Sequence, residues 1–251
     1  MTRPNAHTSR LREGGTLHGM WMMTTSTELA RTSSALGFDY VCVDMQHGYA
    51  RSSDVVRLSD AVRAAGNAMV VARVPDNRFT EIGMLADAGV EAIIVPLVSS
   101  ADQARAAVSA LRYPDEGGTR SYGPTHVMMN GFDPDPLHTR PLLFVMIENA
   151  EGLAAVEEIC AVEGVDGIYI GPSDLAYSLG SRPGPEEPVT TEAIARILAV
   201  VQEAGVIPGI HTGSGADAAA RREQGFRFVT ASSDIGAARA AYETDLAATQ
   251  G

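Results

Sequence analysis

Short hydrophobic runs alternate with segments of helical periodicity along most of the chain. Eight of these runs are rich in Val, Ile, Phe and Tyr and are bounded by turn residues, a pattern typical of buried strands. The predicted strands are Leu17–Met22, Tyr40–Asp44, Met69–Arg73, Ala92–Val95, Leu142–Ile147, Gly167–Ile170, Ile207–Ile210 and Phe228–Ala231. The segments after them carry hydrophobic residues every three or four positions. The predicted helices are Ser26–Leu36, Ser53–Ala65, Arg78–Ala88, Ser100–Leu111, Ala150–Cys160, Thr191–Ala204, Gly215–Gln224 and Ile235–Ala248.

The order of these elements predicts an α/β fold. A strand followed by a helix, eight times over, is typical of a (β/α)8 TIM barrel, and uninterrupted hydrophobic strands favour a parallel sheet. The alternative, a doubly wound open sheet, needs fewer strands and a switch point, and no G-x-G-x-x-G follows the first strand. We expect residues 1–251 to form a single barrel domain with a flexible or helical extension at 1–12. The long connections Tyr113–Arg140 and Ser181–Pro188 are typical of lids, binding loops or oligomer contacts.

Composition excludes several kinds of chemistry. All 19 basic residues of the 251 are arginine, opposite 31 acidic residues, for a formal net charge of −12. Without lysine there is no Schiff-base catalysis, no pyridoxal phosphate attachment and no phosphate-loop lysine. We expect no nucleotide cofactor. Any carbonyl chemistry must therefore proceed without a side-chain amine.

Composition also restricts the possible binding partners and the cellular compartment of the protein. The chain has no basic run, which argues against nucleic acid, and no hydrophobic run that approaches the length of a bilayer. Residues 1–12 are polar and do not resemble a signal peptide. Cys42 and Cys160 lie in hydrophobic patterns typical of small core residues. We expect a cytoplasmic protein with no membrane or nucleic acid partner.

In barrels of this kind the active site lies at the carboxyl ends of the strands. Glu148 ends the fifth strand and Asp174 follows the sixth, so both carboxylates are expected in one mouth, where they suit Mg²⁺ or Mn²⁺. Alternatively, each of them caps the helix that follows. Paired carboxylates without a metal, as in glycosidases, are a further possibility, but such sites usually offer several aromatic residues, and this chain has a single Trp.

Two further strand ends carry candidate groups. His47 follows the second strand next to Gly48 and is the best candidate for a base near neutral pH, although a structural loop histidine is the alternative. Arg73 ends the third strand, where a buried guanidinium needs an anion. That anion is either a substrate or a structural partner, Asp44 or Glu148. His211 ends the seventh strand and is interpreted as a rim residue.

Seven motifs, in this order, closely resemble the HpcH/HpaI aldolase family of metal-dependent pyruvate aldolases. They span about Leu17 to Ala240, and the ordered set is far more specific than any one of them. The motifs are V-D-M-Q-H-G (Val43–Gly48), V-A-R-V (Val71–Val74), I-I-V-P-L-V (Ile93–Val98), L-R-Y-P (Leu111–Pro114), R-S-Y-G-P (Arg120–Pro124), M-I-E (Met146–Glu148) and V-D-G-I-Y-I-G-P-S-D-L (Val165–Leu175).

The resemblance implies a role for most of these residues. It implies a (β/α)8 barrel with a divalent cation, Mg²⁺, Mn²⁺ or Co²⁺, held by Glu148 and Asp174. It implies that His47 is the general base and that Arg73 stabilises an enolate. The family places Asp87 of an adjacent subunit on His47, and its members are commonly hexamers built from trimers with the last helix exchanged, so a homo-oligomer, trimer or hexamer, is expected.

The remaining residues of the implied site bind substrate or support the others. Ser173, Gly171 and the neighbouring backbone amides would hold the pyruvate carboxylate, and Asp44 belongs to the catalytic group. Two positions depart from the better-known members: Gln46 replaces an acidic residue, and Met146 replaces a substrate-binding glutamine. These departures affect acceptor recognition and bound water rather than the metal or the base.

The implied reaction is reversible cleavage of a 4-hydroxy-2-oxo acid to pyruvate and an aldehyde, through a metal-stabilised enolate. Arg120, in the long loop, either faces the acceptor or makes an oligomer contact. Alternatives are a barrel enzyme that binds a phosphorylated substrate at His211–Gly215, an acyl-CoA lyase like the citrate lyase β subunit, and a non-catalytic 2-oxo acid sensor. The sequence does not name the aldehyde.

Overall fold

The computed structural model describes residues 6–123, 140–182 and 187–250. In this part of the chain, eight parallel strands pair in sequence order and close into a barrel, so the TIM-barrel prediction is confirmed. The strands are β1 Leu17–Met22, β2 Tyr40–Asp44, β3 Met69–Arg73, β4 Ala92–Val95, β5 Leu142–Ile147, β6 Gly167–Ile170, β7 Ile207–Ile210 and β8 Phe228–Ser233. Seven match the predicted bounds, and β8 continues two residues further than predicted because Ser232 and Ser233 pair with the end of β1.

Helices follow the strands as the periodicity predicts. The described helices are α1 Ala6–Arg12, α2 Thr27–Ala35, α3 Ser52–Arg63, α4 Phe79–Asp87, α5 Ala101–Leu111, α6 Ala150–Ala154, α7 Val156–Cys160, α8 Pro172–Ser178, α9 Pro188–Glu203, α10 Gly215–Gln224 and α11 Asp234–Gln250. The single helix predicted over Ala150–Cys160 is wrong. Ala155, at φ −100° and ψ 11°, leaves the helical region and divides it into α6 and α7.

Side chains fill the inside of the barrel. Tyr40, Phe144 and Phe228 are buried there and stack, with ring centroids 4.1 Å apart for Tyr40 and Phe228 and 4.5 Å for Phe144 and Phe228. A second hydrophobic layer joins the outer faces of the strands to the helices. The interior is therefore a packed core rather than a channel, and a ligand has room only at the ends of the strands.

The amino end of the barrel is covered by α1. Leu11 of this helix is fully buried, its carbonyl oxygen accepts a hydrogen bond from Arg227, and Arg10 pairs with Asp39 at 2.8 Å. A ligand-binding site therefore has room at the carboxyl end of the barrel. Cys42 and Cys160 are buried and not disulfide-bonded, as predicted, and none of the described helices is long and apolar enough to span a membrane.

The last helix, α11, packs on the barrel only at its beginning. Asp234 is buried and accepts hydrogen bonds from the backbone N–H groups of Met23 and Thr24, both at 2.9 Å. Further along α11, Tyr242 and Leu246 are exposed. Exposed hydrophobic residues on a terminal helix suit a contact with another subunit, and the exchange of this helix between subunits stays a prediction.

Candidate active site

A cavity of about 230 Å³ opens at the carboxyl ends of the strands. It brings together residues from Trp21 to Ser233, far apart in the sequence, because parallel strands of a barrel all end at the same rim. The predicted site residues that line it are Asp44, His47, Arg73, Glu148, Gly171, Ser173 and Asp174. Trp21, His211 and Ser233 also line it.

Arg73 and Asp44 form a buried, bidentate ion pair at this rim. The Arg73 Nε and Nη2 atoms donate to the two Asp44 carboxylate oxygens at 2.9 and 2.6 Å, and the strands that carry them are in register at these residues. Burial acts to raise the pKa of Asp44, but the hydrogen bonds and charge of Arg73 outweigh it and leave that pKa below its ordinary value. Of the two structural partners left open for Arg73, the structure selects Asp44.

The same carboxylate fixes the turn that carries His47. Asp44 Oδ1 accepts the backbone N–H groups of Gln46 at 3.0 Å and His47 at 3.3 Å, and Oδ2 accepts the Trp21 indole N–H at 3.2 Å. Gly48 completes the turn, where a Cβ atom would lie 2.2 Å from the Asp44 carbonyl oxygen. Asp44 therefore orients Arg73 and His47 together, while the exposed His47 ring remains accessible to a ligand.

Glu148 and Asp174 are not helix caps. Asn149 is the N-cap of α6, and its side chain accepts the Gly152 N–H at 2.7 Å. Gly171 is the N-cap of α8, and Asp174 lies within the first turn of that helix. The capping alternative for both carboxylates is therefore wrong, and both side chains are left for the cavity they line.

Glu148 is buried, and only one of its two carboxylate oxygens has a hydrogen-bond partner among the described residues. Oε1 accepts the Leu97 N–H at 2.8 Å, whereas Oε2 has no hydrogen-bond partner among the described residues. Burial raises the pKa of Glu148 to about 7, and the negative charges of Asp174 and Asp44 add to this, against the Leu97 hydrogen bond and the charge of Arg73. The absence of a side chain at Gly171 leaves space for this oxygen, because a Cβ atom there would lie 2.6 Å from Oε2.

These two carboxylates fit a hard divalent cation. A buried carboxylate oxygen without a donor is costly, and a cation removes that cost. No cluster of three or more His, Cys, Asp or Glu with metal-site geometry exists within residues 6–123, 140–182 and 187–250. Mg²⁺ is commonly bound through one or two carboxylates, with water and substrate completing its coordination. Glu148 and Asp174 match that pattern.

The first, seventh and eighth strands complete the rim with groups that the sequence did not single out as a set. His211 lines the cavity, as predicted for a rim residue. Its ring meets Trp21 edge to face at a centroid distance of 4.8 Å. Burial lowers the pKa of His211 to about 4, with a smaller contribution from the charge of Arg73. Trp21 and Ser233 could have been identified from the sequence, because they lie at or near the ends of strands. The same criterion identified Glu148.

Asp87 and Arg120 pair with each other away from the cavity. The Arg120 guanidinium is buried, donates to Asp87 at 2.7 Å and lies over the Tyr113 ring at 4.7 Å. Neither residue lines the cavity. The contact of Asp87 with His47 involves an adjacent subunit and stays a prediction, as does a role of Arg120 at the acceptor or in an oligomer contact. Pro124, at the end of the R-S-Y-G-P motif, lies outside the described residues.

The loop after β7 does not offer a phosphate site of the expected kind. Ser214 caps α10 by accepting the Asp217 N–H at 3.2 Å, and Asp217 itself adds a negative charge to the first turn. The Thr212 hydroxyl donates to the Thr230 carbonyl oxygen. Both hydroxyl groups of the loop are thus engaged within the protein, and the local charge disfavours an anion.

Proteins with similar sequences match most of this chain. The sequence model described as HpcH/HpaI aldolase/citrate lyase matches residues 17–241, a range that contains every residue of the cavity. A protein of Paraburkholderia phytofirmans named hydroxypyruvate/pyruvate aldolase is 34% identical over 93% of each chain. A protein of Shigella boydii named 4-hydroxy-2-oxo-heptane-1,7-dioate aldolase is 32% identical over 82% of this chain and 80% of the other. The crystal structure of a HpcH/HpaI aldolase/citrate lyase family protein from Burkholderia cenocepacia aligns with a TM-score of 0.90 and 31% identity, covering 98% of this chain and 100% of that one.

Proposed function

The chain belongs to the HpcH/HpaI aldolase/citrate lyase family, and from that premise we propose that it is a metal-dependent pyruvate aldolase, a carbon–carbon lyase. It would cleave a 4-hydroxy-2-oxo acid reversibly to pyruvate and an aldehyde. The observation that carries the proposal is the buried, unpartnered Glu148 oxygen beside Asp174, in a cavity that also contains the Arg73 guanidinium and the His47 ring. The resemblance predicted from the motifs is confirmed by the family match.

Glu148 and Asp174 would hold the divalent cation, with Mg²⁺, Mn²⁺ and Co²⁺ as the candidates. When bound, a divalent cation supplies Lewis acidity that stabilises negative charge on the keto oxygen of pyruvate. The chain has no lysine that could supply the same electron sink through a Schiff base. The divalent cation that these carboxylates would hold therefore takes the place of the missing amine.

Arg73 and Asp44 would act as a unit on the developing negative charge. The Nε and Nη2 atoms of Arg73 donate to Asp44. Among the described residues, the one hydrogen-bond acceptor of Nη1 is the weak acceptor Met146 Sδ at 4.0 Å. Nη1 is thus available to donate to the keto oxygen of the substrate. Asp44 is a positioning residue in this account, because it holds the guanidinium in a fixed orientation.

His47 would move the protons of the reaction. In cleavage it accepts the proton of the substrate 4-hydroxyl, and in exchange it takes a proton from the pyruvate methyl group. The Ser173 hydroxyl and the backbone N–H groups beside Gly171 would bind the pyruvate carboxylate, since N–H groups in the first turn of a helix lack partners within that helix. The substrate carboxylate is then fixed on the same side of the cavity as Glu148 and Asp174.

We also propose a homo-oligomer, trimer or hexamer, in the cytoplasm. The exposed hydrophobic residues of α11 and of α4, such as Met84 and Tyr242, support subunit contacts. In such an assembly Asp87 of one subunit would reach His47 of another, and Arg120 would hold Asp87 in place through their ion pair. The two buried thiols are compatible with a reducing compartment.

The proposal is tested by exchange of the pyruvate methyl protons with D2O, followed by NMR. We expect exchange in the presence of Mg²⁺ or Mn²⁺, loss after thorough chelation with EDTA, and recovery when the metal is restored. His47→Ala should lose exchange while metal binding is retained. His18→Ala, at the opposite end of the barrel, is the matched control and should exchange like the wild type. Exchange that survives chelation would contradict the metal mechanism.

A further inference from the structure

Besides the residues assigned to the proposed reaction, the cavity is lined by three polar or aromatic side chains and by Met23, Met146 and Pro172. Trp21 lies in β1, Ser233 lies in β8 and His211 directly follows β7. The three side chains complete the rim between the carboxylates on one side and the Asp44–Arg73 pair on the other. We call Trp21, His211 and Ser233 the acceptor wall. The keto acid is assigned to the carboxylate side in the proposed function, so the wall borders the space left for the second substrate.

His211 is held in one orientation at this wall. Its backbone N–H donates to the Ile170 carbonyl oxygen at 3.0 Å, which continues the pairing of β7 with β6. Its ring packs edge to face on Trp21 and its Nδ1 atom lies 3.5 Å from the Tyr169 hydroxyl. Tyr169 is itself hydrogen-bonded to Thr230 at 2.5 Å inside the barrel. The side chain is therefore pre-positioned before a ligand arrives.

The second ring nitrogen of His211 is unused. Nε2 has no hydrogen-bond partner in the described part of the chain, although the residue lines the cavity. The lowered pKa keeps the ring neutral at pH 7, where one nitrogen donates and the other accepts a hydrogen bond. A fixed polar group of this kind favours a ligand that has an oxygen in the matching position.

The acceptor wall suits a short and uncharged polar ligand. The cavity of about 230 Å³ is smaller than the roughly 300 Å³ at the lower end of typical ligand pockets. A neutral His211 and Ser233 supply hydrogen-bonding groups at this wall, whereas the Trp21 indole N–H is already donated to Asp44. The Arg73 guanidinium lies 5.0 Å from the centre of the Trp21 ring and is paired with Asp44. A hydroxyl or carbonyl oxygen of the substrate would find a hydrogen-bonding partner in neutral His211, which carries no charge to neutralise a second carboxylate.

We propose that His211 hydrogen-bonds, through Nε2, to an oxygen on the carbon next to the aldehyde group of the acceptor. The enzyme then selects short 2-hydroxy and 2-oxo aldehydes over aliphatic aldehydes of the same size. This inference rests on the proposed aldolase function. The proposed hydrogen bond makes His211 a specificity-determining residue. It also assigns a class of aldehyde to the acceptor wall, which contains none of the proposed catalytic groups.

The test compares glycolaldehyde with propionaldehyde, which differ by a hydroxyl in place of a methyl group. The Mg²⁺-loaded protein and pyruvate are used, and kcat/KM is measured for each aldehyde. In His211→Leu the ratio of glycolaldehyde to propionaldehyde should fall about 10- to 100-fold, the range expected when a buried polar contact is lost. His211→Gln, which keeps a hydrogen-bonding group, should recover part of the ratio.

A control and three further outcomes separate the possible explanations. His18→Leu, the same change at the opposite end of the barrel, should keep the wild-type ratio, and circular dichroism establishes that each variant is folded. An unchanged ratio in His211→Leu, or an equal loss for both aldehydes, would overturn the inference. A loss of discrimination between hydroxypyruvate and pyruvate, with the aldehyde ratio intact, would place the contact on the keto acid and also overturn it.

A different experimental result would refute the proposed aldolase function. If the metal-loaded wild type does not exchange the pyruvate methyl protons, the aldolase proposal is wrong and the inference falls with it. If exchange occurs but the wild type has no preference that depends on His211, only the inference is wrong. The exchange experiment contains no aldehyde, so the two failures are distinguishable.

Discussion

Two pairs of charged groups at the same rim have opposite electrostatic states. Asp44 has a cationic partner, and each of its oxygens accepts at least two hydrogen bonds. Glu148 has a neighbouring carboxylate instead of a cation in direct contact and retains a buried oxygen without a donor in the described structure. Accordingly, the pKa of Asp44 lies below its ordinary value, whereas that of Glu148 rises to about 7.

The difference shows which part of the site is complete within the protein. The Asp44–Arg73 pair is neutralised by its own members, so it serves as a rigid support. The Glu148–Asp174 pair carries excess negative charge, so it is matched to a ligand of positive charge.

The largest expected effect is on stability when the complete pair is broken. Asp44→Ala leaves the Arg73 guanidinium buried and unpaired, which costs about 3 to 5 kcal/mol. In a chain of this length each kcal/mol lowers Tm by about 2 to 4 °C. Thermal unfolding followed by circular dichroism measures the change. Asp102→Ala, which removes one member of the exposed pair with Arg105, is the control and should lower Tm little.

The incomplete pair should respond in the opposite way. Glu148→Gln removes a buried charge that has no cationic partner in contact, so the metal-free protein should not lose stability. Pyruvate methyl exchange should nevertheless fall about 10²- to 10³-fold, since a metal ion contributes several kcal/mol to transition-state stabilisation. A drop in Tm as large as that of Asp44→Ala would contradict the contrast.

A smaller change weakens the support without breaking it. Trp21→Phe removes the indole N–H that donates to Asp44 Oδ2 and keeps most of the ring. The expected loss is about 1 to 3 kcal/mol of unfolding free energy, because a hydrogen bond to a charged group disappears. Urea unfolding measures it. If Trp21→Phe and Asp44→Ala had additive effects in the double variant, the indole would not act through Asp44.

The pH dependence of stability should carry the signature of Asp44. Its pKa is lower in the folded than in the unfolded protein, so its contribution is fully present above the unfolded value of about 3.9 and is lost as the pH falls through the folded pKa. Unfolding of the wild type and of Asp44→Asn at pH 3 to 6 measures this. The two should converge towards acid pH, and a constant difference would contradict the assignment.

Much of the barrel was predictable because its signals are local. Buried parallel strands are continuous hydrophobic runs, and seven of them ended where the sequence pattern ends. The exceptions arise from pairing and backbone angles. Strand β8 is lengthened by its contact with β1, and the helix at Ala155 is interrupted by a dihedral angle that no hydrophobic pattern encodes.

The site was predictable only in part. Its members follow from strand ends and from the motifs, because the topology fixes where strand ends meet. Their partners do not follow: whether Arg73 pairs with Asp44 or Glu148, and whether a carboxylate caps a helix, depends on distances of a few ångströms. The pairing of Asp87 with Arg120 joins α4 to a loop and was likewise absent from the sequence patterns.

The most direct test of the central claim, that the Glu148–Asp174 pair holds a divalent cation, is calorimetric titration of the metal-free protein with Mn²⁺. The wild type should bind Mn²⁺ at a single site per chain. Glu151→Gln, a change at an exposed glutamate on α6, should bind alike, and Glu148→Gln should bind at least about 10- to 100-fold more weakly, as a ligand substitution should exceed the effect of an outer-shell change. Equal Mn²⁺ affinity in Glu148→Gln and the wild type would contradict the account.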